Sequence, residues 1–104
     1  MNTLKFTRKD IIRQTSEKLD LSHNDMKLAV DSVLEIITKM LTENQSNIRI
    51  ELRNFGVFEV KPVKAKPRSR NPRTNEEIYV PPHRKVHFKA GKIIREVLQK
   101  EWVK

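Results

Sequence analysis

Alternating basic residues in the middle of the chain are the side chains with the clearest chemical potential. Lys64, Lys66, Arg68 and Arg70 occupy every second position. In a β-strand such positions share one face, so the four side chains would form a cationic edge about 20 Å long. A duplex nucleic acid carries one negative charge per about 1.7 Å of its axis, which places phosphates within reach of each side chain. The spacing therefore favours a polyanion as ligand.

A second feature follows where this strand ends, at Asn71-Pro72 in a turn around residues 70–75. A rigid, apolar proline at the end of a cationic ribbon could act as a wedge between base pairs. Pro72 could equally do no more than shape the turn, as Asn-Pro pairs often do. The residues alone leave both interpretations open.

The element that must position these side chains is a ribbon of two extended strands, spanning residues 61–85. Outside the turn it contains four prolines, which cannot donate hydrogen bonds to a central ladder, so the stretch is a poor inner strand of a sheet. The return strand is predicted from about residue 77 to residue 88. A free-standing two-stranded ribbon is marginally stable in water, which indicates that this one requires a binding partner. The prolines are Pro62, Pro67, Pro81 and Pro82.

The distribution of charge supports the same conclusion. The net charge is +9, and the stretch from Lys61 to Arg95 holds eleven lysines and arginines against two glutamates. The eleven basic and eleven acidic residues elsewhere cancel. Such segregation favours a polyanion-binding surface over the alternative, a basic face that is merely solvated.

Length and composition exclude several classes of protein. The chain has 104 residues, enough for one small domain with a modest core, which dimerisation would supplement. It has no cysteine, which excludes disulfides, thiolate catalysis and cysteine-ligated zinc. No apolar run approaches the roughly 18 residues of a membrane span, and no signal-peptide core precedes the chain's first helix. We expect a soluble, cytoplasmic protein.

Catalysis finds little support in the sequence. The two glycines, Gly56 and Gly91, are too far apart to build a phosphate-binding loop. His83 and His87 would share a strand face about 13 Å apart, too far for one metal ion. We therefore expect no enzyme, no metal and no cofactor.

Two helices are predicted at the N-terminus, each with a capping box. Thr7 and Asp10 begin the first helix, which ends near Leu19, and Ser22 with Asp25 begins the second. Apolar residues then recur at three- and four-residue steps as far as residue 41. A stripe this long exceeds what one small chain can cover, so we expect it at a subunit interface, the alternative being an intrachain core.

The rest of the chain predicts a sheet and a final helix. Residues 48–53 alternate as a half-buried strand, Asn54-Phe55-Gly56 forms a tight turn, and the next strand leads into the ribbon. Apolar pairs at 93/94, 97/98 and 101/102 indicate an amphipathic helix. The predicted fold is α+β, one domain over residues 1–104, with a helical hairpin at about 7–43, an antiparallel sheet from 48–60 and 84–89, a β-arm at about 61–83 and a C-terminal helix at about 91–102.

Three segments together resemble the bacterial HU and integration host factor family. They are Asn54-Phe55-Gly56-Val57-Phe58-Glu59-Val60, then Arg70-Asn71-Pro72-Arg73-Thr74, then Phe88-Lys89-Ala90-Gly91-Lys92. The resemblance extends from about Thr7 to Lys100. The sequence departs from the family where Asn54 and Asn75 replace a usual glycine and Ala90 a usual proline. Asparagine tolerates the left-handed region, so both turns should survive.

The resemblance implies an intertwined dimer with long β-arms, a histone-like nucleoid protein that bends and condenses double-stranded DNA through the minor groove with low sequence specificity. Pro72 would intercalate between base pairs, and Arg70, Asn71 and Arg73 would contact the groove around it. The full set of implied DNA-binding residues is Lys64, Lys66, Arg68, Arg70, Asn71, Pro72, Arg73, Arg84, Lys85, Lys92 and Arg95.

Alternative functions remain open at this level. A homodimer is expected, but a site-preferring bender like integration host factor, working as half of a heterodimer, is the nearest alternative. A different class of function would be a basic ribbon that binds an acidic protein or RNA, since phosphate attraction does not distinguish RNA from DNA.

Overall fold

The computed structural model describes residues 2–103, apart from the side chains of residues 67–69. The described residues divide into two compact units, one ending at Lys39 and the other beginning at Met40. The single domain expected from the sequence stays a prediction. The fold is α+β, as predicted, and its elements are α1 (Arg8–Leu19), α2 (His23–Leu41), β1 (Ile48–Leu52), β2 (Gly56–Val63), β3 (Lys66–Arg70), β4 (Glu77–Val80), β5 (His83–Ala90) and α3 (Lys92–Gln99).

Helix α1 begins and ends where its sequence signals predict. The backbone N–H and the hydroxyl of Thr7 both donate to the Asp10 carboxylate, at 2.7 and 3.0 Å. These hydrogen bonds hold the pKa of Asp10 below its ordinary value, the backbone bond most strongly. At the other end Asp20 adopts the left-handed conformation with φ 52°, which ends the helix.

Helix α2 starts at a second cap, since the Ser22 hydroxyl accepts the Asp25 backbone N–H at 3.1 Å. The Asp31 carboxylate on α2 accepts from Lys27 at 2.9 Å and from Arg8, at the start of α1, at 3.2 Å. This ion pair connects the two helices. Of the apolar stripe on α2, Met26 is buried, and so is Ile12 on α1.

Strands β1, β2 and β5 form an antiparallel sheet in the order β1-β2-β5. Residues that lie opposite one another share a face, so the register separates an apolar face from a charged one. Phe58 lies between Ile50 and Phe88 on the apolar face, where the Phe58 and Phe88 rings are 4.9 Å apart. Gly56 is required in this layer, because a Cβ there would lie 2.5 Å from the Phe88 ring.

The turn before β2 has the predicted conformation. Asn54 has φ 67°, in the left-handed region, and the Phe55 N–H donates to the Leu52 carbonyl at 3.0 Å. Asparagine adopts this region at low cost, which explains how it replaces a glycine here. The Phe55 carbonyl then accepts the Gly91 N–H at 2.8 Å, which holds the start of α3 against the turn.

The return strand differs from the prediction of one continuous strand over residues 77–88. It is divided into β4 and β5 at Pro81-Pro82, two consecutive residues without an N–H to donate. The outgoing strand is also interrupted, at residues 64–65. The ribbon therefore consists of a base, where β2 and β5 remain paired as far as Val63 and His83, and an outer two-stranded sheet of β3 and β4.

Helix α3 is shorter than the predicted 91–102. It ends at Gln99, and Lys100 is already extended at φ −65° and ψ 150°. Trp102 lies beyond the helix with 83% of its surface exposed, so the expectation that the helix continues through it is wrong. The apolar spacing continues into residues 101/102, but none of the described residues covers an additional turn there.

Candidate nucleic-acid interface

The turn between β3 and β4 is closed by its own hydrogen bonds. The Asn71 backbone donates to the Glu76 carbonyl at 2.9 Å and accepts from the Asn75 N–H at 2.7 Å. Asn75 has φ 59°, the second left-handed asparagine in place of a family glycine. Within this closed loop Pro72 and Arg73 are both exposed. The structure thus places an exposed proline at the end of a basic ribbon.

Arg70 is engaged within the same turn. One guanidinium nitrogen donates to the side-chain oxygen of Asn75 at 3.2 Å, and another lies 3.7 Å from the Glu77 carboxylate. Both contacts are exposed, where ion pairs contribute at most about 1 kcal/mol. A phosphate could therefore replace Glu77 as the partner of Arg70 at low cost.

Lys66 and Arg70, two of the four alternating basic residues, do not lie on one edge. Lys66 lies opposite Val80 and Arg70 lies opposite Glu77, so β3 contains one residue more than β4 over the same span, a β-bulge. Side chains alternate along β4, so Val80 and Glu77, an odd number of positions apart, point to opposite faces of the ribbon. Because paired residues share a face, Lys66 and Arg70 also point to opposite faces. The continuous cationic edge predicted from spacing is wrong at this point.

Lys64 and Lys66 are two of the basic residues on the outgoing strand before the bulge. Lys64 and Lys66 are exposed, while Val63 and Ala65 on either side of Lys64 are half-buried, in agreement with the predicted alternation before the bulge. The side chain of Arg68 lies outside the described residues. Lys64 and Lys66 thus lie on the solvent side of the outgoing strand.

Arg84 and Lys85, at the start of β5, have different surroundings. A single Arg84 guanidinium nitrogen donates to the backbone carbonyls of Glu43 and Gln45, at 2.6 and 2.8 Å. Arg84 therefore stabilises the link between α2 and β1, in addition to any contact with a ligand. Lys85 lies opposite Lys61 on the charged face of the sheet, and both are exposed.

The charged face of the sheet centres on Glu59, whose side chain is only 8% exposed. Its carboxylate lies 3.2 Å from Arg49, 3.3 Å from Lys61 and 3.1 Å from Lys89, one cation from each strand. The hydrogen bonds from Lys89 and then from Lys61 lower the pKa of Glu59. One carboxylate thus holds three exposed cations on a face that continues into the ribbon.

Arg49, Lys61 and Lys89 were not among the residues selected from the sequence. The alternation within β1 and β2 signals that Arg49 and Lys61 lie on a polar face. The position of Lys89 beside Glu59 depends on the pairing of β2 with β5, about thirty residues later in the chain. Only the register brings the three cations together.

Lys92 and Arg95 lie in the first turn of α3, and both are exposed as predicted. The Arg95 backbone donates to the Gly91 carbonyl at 2.9 Å, which begins the helix. Among the described residues no cluster of three or more acidic or histidine side chains could hold a metal ion. Nor is any helix of residues 2–103 long and apolar enough to cross a membrane.

Comparison with known proteins agrees with this geometry. Residues 6–99 match the family described as Bacterial DNA-binding protein. DNA-binding protein HU-1 of Halalkalibacterium halodurans is 38% identical over 89 residues, which cover 86% of this chain and 94% of that protein. The chain belongs to the HU family. DNA-binding protein HU of Thermotoga maritima is 32% identical over 90 residues, covering 86% of this chain and 96% of that protein.

A solved HU structure shares the fold. The Anabaena HU–DNA cocrystal structure matches with a TM-score of 0.78 at 28% identity, covering 92% of this chain and all of that chain. The HU family match ends at residue 99, where α3 also ends. The exposed Trp102 therefore lies beyond the matched residues.

Proposed function

We propose that this chain is an architectural protein of the bacterial nucleoid that binds and bends double-stranded DNA through the minor groove with low sequence specificity. The observation that carries the proposal is the exposed Pro72 at the end of a basic two-stranded ribbon. An apolar side chain inserted between base steps kinks a duplex, and the cations beside it neutralise phosphates. The resemblance to the Anabaena HU–DNA cocrystal structure supports the same interpretation.

Low specificity follows from the kinds of side chain involved. The exposed residues that could reach DNA are mainly lysines and arginines, which bind phosphates without reading sequence. The minor groove presents the same acceptors at A·T and T·A pairs, and a G·C pair adds only one amino donor, so contacts to base edges would distinguish little beyond these two classes. Bent, nicked or flexible DNA should bind best, because its deformation costs less.

The protein acts as a homodimer in this proposal. Ile12, Met26 and Val60 are the large hydrophobic residues buried within the described part of one chain, a core too small to stabilise 104 residues. Large apolar side chains remain exposed on α2 and on the apolar face of the sheet. A second copy would cover them. These side chains are Leu28, Val33, Ile36, Met40, Leu52, Phe55, Val86 and Phe88.

A structural rather than catalytic role fits the named relatives, which are DNA-binding proteins. We expect plasmid DNA to remain uncut after incubation with the protein, with or without a divalent metal ion. Cleavage that survives repurification of the protein would contradict this part of the proposal.

The bending function is tested by fluorescence energy transfer between dyes at the two ends of a short duplex. Addition of the protein should bring the ends closer, and the same protein should sediment as a dimer in the absence of DNA. The effect should be similar for unrelated sequences and should weaken steeply as salt increases. Binding without any change in end-to-end distance would refute bending, and preference for A-form RNA or an acidic peptide would refute the choice of ligand.

A further inference from the structure

Asn71 makes three hydrogen bonds within the turn. Besides the two backbone bonds to Glu76 and Asn75, its side-chain oxygen accepts the backbone N–H of Arg73 at 2.9 Å. Three of its polar atoms are thus used inside the loop. Asn71 is half-buried, whereas the adjacent Pro72 is exposed.

The bond from Asn71 to Arg73 spans Pro72. An asparagine that accepts a hydrogen bond from the residue two positions later replaces one peptide unit of a turn with its own side chain. The proline ring fixes its own φ, and the Asn71–Arg73 bond restrains the peptide that follows it. Together they determine the direction in which the Pro72 ring points.

The other bonds of the turn support this arrangement without any ligand. Arg70 donates to Asn75, and the Thr74 hydroxyl accepts the Glu76 N–H at 3.4 Å. The turn is therefore closed in the free protein. A binding element that is ordered beforehand loses less entropy when it binds.

We propose that Asn71 is a positioning residue, whose side-chain oxygen holds Pro72 in the orientation needed to enter between base pairs. This inference rests on the proposed function. It differs from the role that the resemblance implies, a contact between Asn71 and the groove, because it uses the side-chain oxygen that accepts from Arg73 and not the amide NH2. The prediction concerns bending rather than the attraction of phosphates.

Three substitutions separate positioning from groove contact. Asn71→Asp keeps an oxygen that can accept from Arg73 but loses the amide donor. Asn71→Gln keeps the whole amide but adds a methylene, which is incompatible with the short turn. Asn71→Ala removes both functions, and Pro72→Ala serves as the reference for loss of the wedge.

Two measurements are made on each full-length variant. Hydrogen exchange of the Arg73 amide, followed by NMR in the free protein, reports the turn. End-to-end energy transfer at saturating protein reports the bend, so that a weaker affinity caused by the added charge of Asp does not affect it. Wild type and Asn71→Asp should protect the Arg73 amide and bend DNA, whereas Asn71→Ala and Asn71→Gln should lose at least about threefold in protection and bend as weakly as Pro72→Ala.

Each alternative outcome is decisive. Full bending by Asn71→Gln together with its loss in Asn71→Asp would show that the amide contacts the groove, and would overturn positioning. If the Arg73 amide exchanged as slowly in Asn71→Ala as in the wild type, the positioning role of Asn71 would be overturned by a measurement on the free protein alone. Failure of the wild-type protein to bend DNA, with Arg73 protected as expected, would instead refute the proposed function, and with it the use of the turn for bending.

Discussion

Pro72 offers the sharpest test at the scale of single residues. Its ring is exposed at the end of the ribbon, while further exposed cations that attract phosphates, such as Lys64 and Lys66, lie along the outgoing strand. We expect Pro72→Ala to reduce the bend angle strongly but to weaken binding to a linear duplex by less than about fivefold, since phosphate contacts supply most of the affinity. End-to-end energy transfer and a binding titration on the same labelled duplex measure the two effects.

Pro62→Ala is the matched control for this change. Pro62 is also exposed, but it lies in β2 opposite Arg84, away from the turn. Its replacement should leave the bend angle unchanged. An unaltered angle in Pro72→Ala would mean that Pro72 only shapes the turn.

Glu59, on the charged face of the sheet, makes the stability of the folded protein depend on pH. Its pKa is lowered in the folded protein, chiefly by Lys89, so the folded state binds this proton less readily than the unfolded state does. The resulting stabilisation is present above the ordinary pKa of glutamate and is lost as the pH falls through the lower, folded-state value. We expect Glu59→Gln to be less stable at neutral pH and to lose less stability on acidification, measured by urea unfolding at several pH values.

Glu51→Gln removes a charge from the same face as a control. Glu51 pairs with Arg49 at 2.8 Å, but its side chain is 69% exposed, where ion pairs contribute little. Its replacement should change stability at neutral pH by no more than about 0.5 kcal/mol. If Glu59→Gln showed the same pH dependence as the wild type, the cluster around Glu59 would not account for acid sensitivity.

At the scale of elements, the β-bulge in β3 determines which basic residues can act together. Lys66 and Arg70 lie on opposite faces of the outer ribbon, so they cannot contact the same row of phosphates. Lys66→Glu should weaken binding to all sequences and flatten the dependence on salt by about one unit for each phosphate that is no longer neutralised. A titration of affinity against salt concentration measures this slope.

Lys100→Glu is the matched charge reversal outside the ribbon. Lys100 follows the last turn of α3, at the far end of that helix from Lys92. The reversal should leave the salt slope close to that of the wild type. An unaltered slope in Lys66→Glu would remove Lys66 from the DNA interface.

Local sequence signals predicted most helices and strands, but they did not predict which residues pair across long sequence separations. Thr7 and Ser22 identified both helix starts, since a cap acts within four residues of itself. The bulge depends on the pairing of β3 with β4, and the hydrogen bond from Arg84 to Glu43 joins residues about forty positions apart. The sequence did not predict the end of α3, because the apolar spacing continues beyond Gln99. A further helical turn would also need other residues to pack against it, and this packing cannot be read from local spacing.

At the scale of the whole molecule, the exposed stripe on α2 predicts a dependence on the partner copy. Ile36 is 53% exposed in the single chain. We expect Ile36→Glu to prevent dimer formation and to lower stability by several kcal/mol, because a buried, unpaired charge is costly. The melting temperature of the wild type should also rise with protein concentration, as it does when folding and association are coupled.

Leu4→Glu provides the comparison. Leu4 is 81% exposed and precedes the residues that match the HU family. This variant should sediment and melt like the wild type. A stable dimer of Ile36→Glu would place the interface away from this part of α2.

The two hydrogen bonds that Arg84 donates to Glu43 and Gln45 affect how charge substitutions in this protein must be interpreted. An alanine at this position would remove both bonds and leave the Glu43 carbonyl with the Gln45 N–H at 2.8 Å, so it would weaken the α2–β1 connection as well as remove a cation. Lysine keeps the charge, but its strongly hydrated ammonium on a flexible stem is less suited than a guanidinium to hold both carbonyls. If Arg84→Ala lowers DNA affinity and Arg84→Lys keeps full affinity, the loss is an effect of charge. If both variants lose the same affinity and the same thermal stability, the defect lies in the α2–β1 connection.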